Sequence, residues 1–212
     1  MTRGLTIAAA MMLFGVTSPA ATIWNESVNG DLSNNNLVPT VLPGLSVGAN
    51  DVIGTITGSN RVPTDPDFFT ITIPAGFKLD AITLKAYSFT GFVGTGSFLA
   101  VQAGTEITST TDGSALLGTA LAGSPSAPVG SDLLVALSAN SLVGGVSHFT
   151  PPLQAGTDTF WFQEGAGPNL SAVVTYDFAF QLSAVPEPAS LVMMSLGLAG
   201  VAAVAWRRRR TG

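Results

Sequence analysis

The sequence predicts an all-β fold, an antiparallel β-sandwich or jelly roll of about eight strands, and three observations carry that prediction. Short apolar–polar alternations recur along the middle of the chain, each bounded by Gly, Pro, Asn or Asp. The 24 glycines and 13 prolines among 212 residues, with only 10% charged residues, exclude a coiled coil or a charged disordered chain. No segment between the two ends keeps a 3.6-residue apolar stripe over helical length, so two sheets must bury the apolar residues, 46% of the chain, against each other.

Residues 1–20 read as a secretory signal peptide. Arg3 precedes an apolar run from residue 4 to 16, and Ser18-Pro19-Ala20 places small residues before a cut after Ala20. Thirteen apolar residues fall short of the roughly 20 that cross a bilayer as a helix. The folded domain then spans 21–184. Its predicted strands are 51–56, 68–73, 81–89, 97–102, 115–121, 132–137, 158–163 and 174–182, with turns at Pro74-Ala75-Gly76, Asp112-Gly113 and Gly165-Ala166-Gly167-Pro168. The last strand is the clearest. Val174, Tyr176, Phe178, Phe180 and Leu182 share one face, and Thr175, Asp177 and Gln181 the other. Pro125 and Pro128 among small residues mark 123–130 as a loop.

Charge and cysteine content narrow the function classes. Between residues 21 and 185 three basic residues (Arg61, Lys78, Lys85) face twelve acidic ones, a net charge of -9. Such a domain has no basic stripe for phosphates, which excludes nucleic acid as a partner. The absence of cysteine removes disulfides, thiolate nucleophiles and cysteine zinc sites. His148 is the one histidine, and no serine elbow motif accompanies it, so a Ser-His-Asp triad has no sequence support and a non-enzymatic protein is expected. Glycines 91, 94 and 96 lack the following lysine and helix of a phosphate loop.

Residues 185–212 form a three-part tail. Pro186-Glu187-Pro188 is followed by eighteen uncharged residues, 189–206, long enough for a transmembrane helix, and then by Arg207, Arg208, Arg209 and Arg210. The arginines place that end in the cytoplasm and the domain outside. The prolines interrupt the helix and hold the peptide extended just outside the bilayer, within reach of a membrane-embedded protease. In order and spacing this tail resembles the PEP-CTERM sorting signal. The resemblance implies an exosortase as processing partner, a membrane-anchored precursor, and a final place on the cell surface or in the extracellular matrix of bacteria that export exopolysaccharide.

The domain also resembles the bacterial pre-peptidase C-terminal domain. The likeness rests on Asn25-Glu26, on 29–33, on the strand at 52–56, on Asp65-Pro66-Asp67-Phe68-Phe69 with Phe77-Lys78-Leu79, and on 155–161 with Tyr176-Asp177-Phe178. It implies a small, non-catalytic β-sandwich used for binding or solubility. In some relatives calcium lies between an acidic N-terminal linker and the loop with paired aspartates.

Two candidate sites follow from the residues themselves. Calcium takes six to eight oxygen ligands, and Glu26, Asn29, Asp31, Asp65 and Asp67 supply them if the N-terminal segment lies along the loop before Phe68. Asp65 and Asp67, one residue apart, would then share a side of an extended segment, although carboxylates around Pro66 are also ordinary turn chemistry. Trp161 alternates outward between Phe160 and Phe162, where an indole can stack on a sugar ring or pack beneath a loop. The composite expectation is an exported, non-catalytic surface or matrix protein with no obligatory cofactor. The alternative is a secreted carbohydrate-binding module or hydrolase.

Overall fold

The computed structural model describes residues 20–91, 94–140 and 142–186, together with Gly197 and Trp206. The expected signal peptide, apart from Ala20, and Glu187, Pro188, the apolar segment apart from Gly197 and Trp206, and the arginines of the tail lie outside the described residues. Among the described residues no helix is long and apolar enough to cross a membrane.

Two five-stranded sheets face each other. The first has the order β1 (Ala21–Asn25), β3 (Gly48–Ser59), β10 (Ser171–Ala184) and β6 (Phe77–Gly91), with β4 (Val62–Asp65) also on β3. The second runs β2 (Thr40–Val41), β5 (Asp67–Ile73), β9 (Gly156–Gln163), β7 (Ser97–Ala103) and β8 (Leu116–Ala122). Pairing is antiparallel except for β1 with β3 and β2 with β5. β1 and β4 occupy successive stretches of one edge of β3, β1 on residues 50–53 and β4 on 57–59. Pro66, without an N–H for either ladder, is the corner at which the chain leaves the first sheet and enters the second.

Alternation decides which side chains go between the sheets. Val174, Tyr176, Phe178, Phe180 and Leu182 are all buried, as the period of two requires, and β10 pairs along most of its length with both β3 and β6. Their rings meet those of the second sheet edge-on: Phe180 with Phe69 and Phe160, and Tyr176 and Phe178 with Phe162, at centroid distances of 4.8 to 6.1 Å. Edge-to-face contact sets the positive rim of one ring against the negative face of another. On the opposite face of β10, Asp177 is not freely solvated. Lys85 on β6 reaches both Asp51 (2.5 Å) and Asp177 (3.4 Å), which joins β3, β10 and β6 by charge as well as by backbone.

One predicted strand is corrected. Residues 132–137 do not extend but coil into the helix α2 (Leu133–Ala139). The Asp132 carboxylate caps its first turn by accepting from Leu134 N–H at 2.9 Å, and it accepts from Ile82 N–H of β6 as well. Leu133, Leu134 and Leu137 are buried and Val135 is exposed, a set that fits a helix face and not an alternating strand. Seven residues are too few for that periodicity to stand out in the sequence.

Candidate metal centre

Three chain segments bring carboxylates together at one end of the sandwich. β1 leads directly into a single helical turn, α1 (Glu26–Asn29). Asn25 caps this turn, its Oδ1 accepting from Ser27 N–H (3.0 Å) and Ser27 Oγ–H (2.7 Å). The turn closes at Gly30, whose N–H donates to the Glu26 carbonyl, and the reversal sets Asp31 beside Glu26. Leu32 is buried in the core, and Ser33 O accepts from Phe68 N–H at 2.8 Å, so the segment is fastened next to the first residues of β5. Asp67 opens β5 just after the Pro66 corner. Carboxylate oxygens of Glu26, Asp31 and Asp67 lie within 4.8 Å of one another.

Each acid is held in a different way. Glu26 accepts Leu32 N–H at Oε1 (3.1 Å) and Thr55 N–H of β3 at Oε2 (2.6 Å), which orients the carboxylate and leaves lone pairs on both oxygens. Asp67 has no solvent exposure. Its Oδ2 accepts the hydroxyl of Tyr176 (2.7 Å), which crosses the core from the opposite sheet, while its Oδ1 has no hydrogen-bond partner among the described residues. Tyr176 reaches it because residue 54 is glycine: a Cβ there would stand 2.4 Å from the Tyr176 hydroxyl oxygen. Burial pushes the Asp67 carboxyl up to about 9, and the negative charge of Glu26 adds to the rise. Glu26 is raised to about 7, again chiefly by desolvation, against the two backbone N–H donors that lower it.

The five predicted ligands therefore divide. Glu26, Asp31 and Asp67 converge. Asp65 ends β4 close enough to push up the carboxyls of both Glu26 and Asp67 by its charge, and burial raises its own. The Asn29 Oδ1 accepts from Asn25 N–H at 2.8 Å, which closes the turn of α1 on itself. Tyr176 was not among the sequence-predicted site residues. Its place in an apolar alternation hid it, although a buried tyrosine hydroxyl always requires a partner.

The donor set fits a hard cation. All the converging atoms are oxygens, and two ligands on opposite sides of calcium stand about 4.6 to 5.2 Å apart at ordinary bond lengths, so oxygens within 4.8 Å can share one ion. Asp67, one of the three converging acids, also carries a buried Oδ1 with no hydrogen-bond partner among the described residues, a polar atom that calls for a ligand.

Trp161 does face outward from the sandwich core, but it offers no open ring. It is only 8% exposed, lies 5.7 Å from Phe68 in a stacked arrangement and 4.8 Å edge-on to Phe98, and donates from Nε1 to Gln163 at 3.0 Å. With Phe68, Ala100, Ile107 and Leu116 it forms a second, smaller core under the segment between β7 and β8. Stacking of a sugar on Trp161 is thereby corrected. His148 lies in an irregular loop with φ 59°, its Nδ1 3.1 Å from the Ser138 carbonyl at the end of α2.

The model of the PEP-CTERM protein-sorting motif matches residues 184–210. No curated protein and no solved structure matches the chain, so the likeness to the pre-peptidase C-terminal domain has no support from comparison. β10 ends at Ala184, directly before the tail, and Val185 N–H still donates to Gly76 O at 2.8 Å. The folded sandwich thus carries, immediately after its last strand, the sorting tail of an exported protein that exosortase processes.

Proposed function

We propose that this protein is a non-catalytic surface or extracellular-matrix component, released from its membrane anchor by exosortase, retained with exopolysaccharide, and stabilised by calcium at Glu26, Asp31 and Asp67. The observation that carries the sorting half is the motif at 184–210. The calcium half is supported by the unpartnered, buried Oδ1 of Asp67 within a three-carboxylate cluster. A calcium site suits a protein outside the cell, where the ion is abundant enough to fill sites of 10⁻⁴ to 10⁻³ M affinity.

The test of sorting is the tail. Replacing both Pro186 and Pro188 by alanine removes the helix breakers, lets helix run on toward Val185, and is expected to leave uncut precursor in the membrane fraction. Intact-mass measurement of the released wild-type protein is expected to show a chain lacking 189–210. A released form that keeps those residues, or normal processing of the double variant, would refute the sorting account.

A further inference from the structure

Toward the end of β6 lies a cavity of about 260 Å³, lined by Tyr87, Phe89, Thr95 and Pro125 and by Gly94, Gly96 and Gly123. Tyr87 and Phe89 point to the same side of β6, two residues apart, with ring centroids 6.3 Å apart and planes at 58°. Phe89 is 54% exposed, a large apolar ring left in water at the mouth of the sandwich. The glycines keep the mouth clear. A Cβ on Gly123 would fall 2.5 Å from the Tyr87 ring, so the ring lies flat on backbone at that point.

The hydrogen bonds behind Tyr87 have a fixed direction. The Glu164 carboxylate, almost wholly buried, accepts Ser97 Oγ–H at Oε2 (2.8 Å) and Ala166 N–H at Oε1 (2.8 Å). The single proton of Ser97 is thus committed, and the 2.8 Å contact between Ser97 Oγ and Tyr87 must take the tyrosine's proton. Burial raises the Tyr87 phenol further above its ordinary range, so it stays protonated. Its oxygen is left as an acceptor on a residue that lines the cavity. Two ring faces, a hydroxyl acceptor and bare backbone suit a sugar, which presents C–H faces to aromatics and O–H groups to acceptors. The lining contains no ammonium or guanidinium group, and the domain carries a net charge of -9, which disfavours a polyuronate or other anionic chain.

We infer that Tyr87 and Phe89 form a binding subsite for a neutral polysaccharide. The inference rests on the matrix reading above and places its contact with the glycan here and not at Trp161. Affinity electrophoresis of the full-length chain in polyoxyethylene detergent tests it, with hydroxyethylcellulose, galactomannan, dextran and alginate in separate gels. At least one neutral glycan is expected to retard the wild type and alginate is not. Phe89→Ala should weaken binding at least tenfold, Tyr87→Phe a few-fold, and Phe89→Trp should restore it, with the melting temperatures of the two Phe89 variants unchanged because Phe89 is exposed. No retardation by any of the three neutral glycans, retardation by alginate alone, or equal retardation of Phe89→Ala would overturn the subsite. Matrix retention in the producing cells separates this from the broader reading. If wild type and Phe89→Ala are retained alike, the subsite fails and the matrix role stands; if neither is retained, the matrix role fails with it.

Discussion

Phe178→Ala is expected to cost roughly 3 to 5 kcal/mol, a fall in melting temperature on the order of 10 °C for a domain of this size. Phe178 is 1% exposed, with its ring 4.5 Å from Tyr176 and 5.1 Å from Phe162, and it stands in the strand that pairs with both neighbours of the first sheet. Truncation leaves a ring-sized void between two sheets whose backbone ladders prevent collapse. The adjacent Asp177→Ala should cost under about 1 kcal/mol, since Lys85 keeps its shorter contact with Asp51 and the Asp177 side chain is partly solvated. Urea unfolding of the two variants gives the comparison, and equal, small losses from both would remove the case for β10 as the centre of the core.

Calcium is expected to raise the melting temperature in proportion to the logarithm of its concentration, with about 2.7 kcal/mol gained at 100 times the dissociation constant. The effect should grow with pH, because calcium displaces protons from the site. Asp67 titrates near 9 in the folded chain against about 3.9 when unfolded, so the folded state holds a proton that the unfolded state releases. Without the cation, the contribution of Asp67 to stability is therefore full below about pH 4 and is lost as pH rises toward 9, and Glu26 adds a loss that ends near 7. Asp67→Asn removes the charge, keeps an acceptor for Tyr176, and should stabilise the protein in chelator at pH 8 by roughly 2 to 4 kcal/mol. The pair Asp65→Asn with Asp67→Asn should abolish the calcium response, while Asp112→Asn, whose carboxylate serves Ser114 in a distant turn, should leave it intact. Melting curves that coincide in calcium and in chelator at pH 8 would show that the carboxylates hold no ion.

What could be read in advance tracks how local the determining physics is. Alternation in β10 is a property of nine consecutive residues and was legible. So was the sorting motif at 184–210, which the order and composition of its residues mark. β1 and β2 were missed because each pairs in parallel with a strand distant in sequence, so no hairpin turn announces them. The carboxylate cluster was visible as a list of acids around the loop before Phe68, yet the convergence of Glu26, Asp31 and Asp67 depends on the four-residue turn of α1 and on the corner at Pro66. The covering of Trp161 depends on residues some 45 to 90 positions away, Phe68 and Leu116 among them, and its outward direction alone could not reveal it.

The central place of the last strand governs the timing of folding. Ser171 pairs with Ser59 and Leu182 with Gly48, contacts 112 to 134 residues apart, so β3 waits for its middle-sheet neighbour until almost the whole domain has been threaded out of the cell. Long loop closures of this kind slow folding, and until they form β3 and β6 present open edges. Closure of the sandwich and arrival of the sorting tail at the membrane are therefore nearly one event, because β10 ends at Ala184 and the motif begins there. A chain stalled short of β10 would be an open-edged intermediate prone to aggregation, and one that completes β10 reaches the protease already folded.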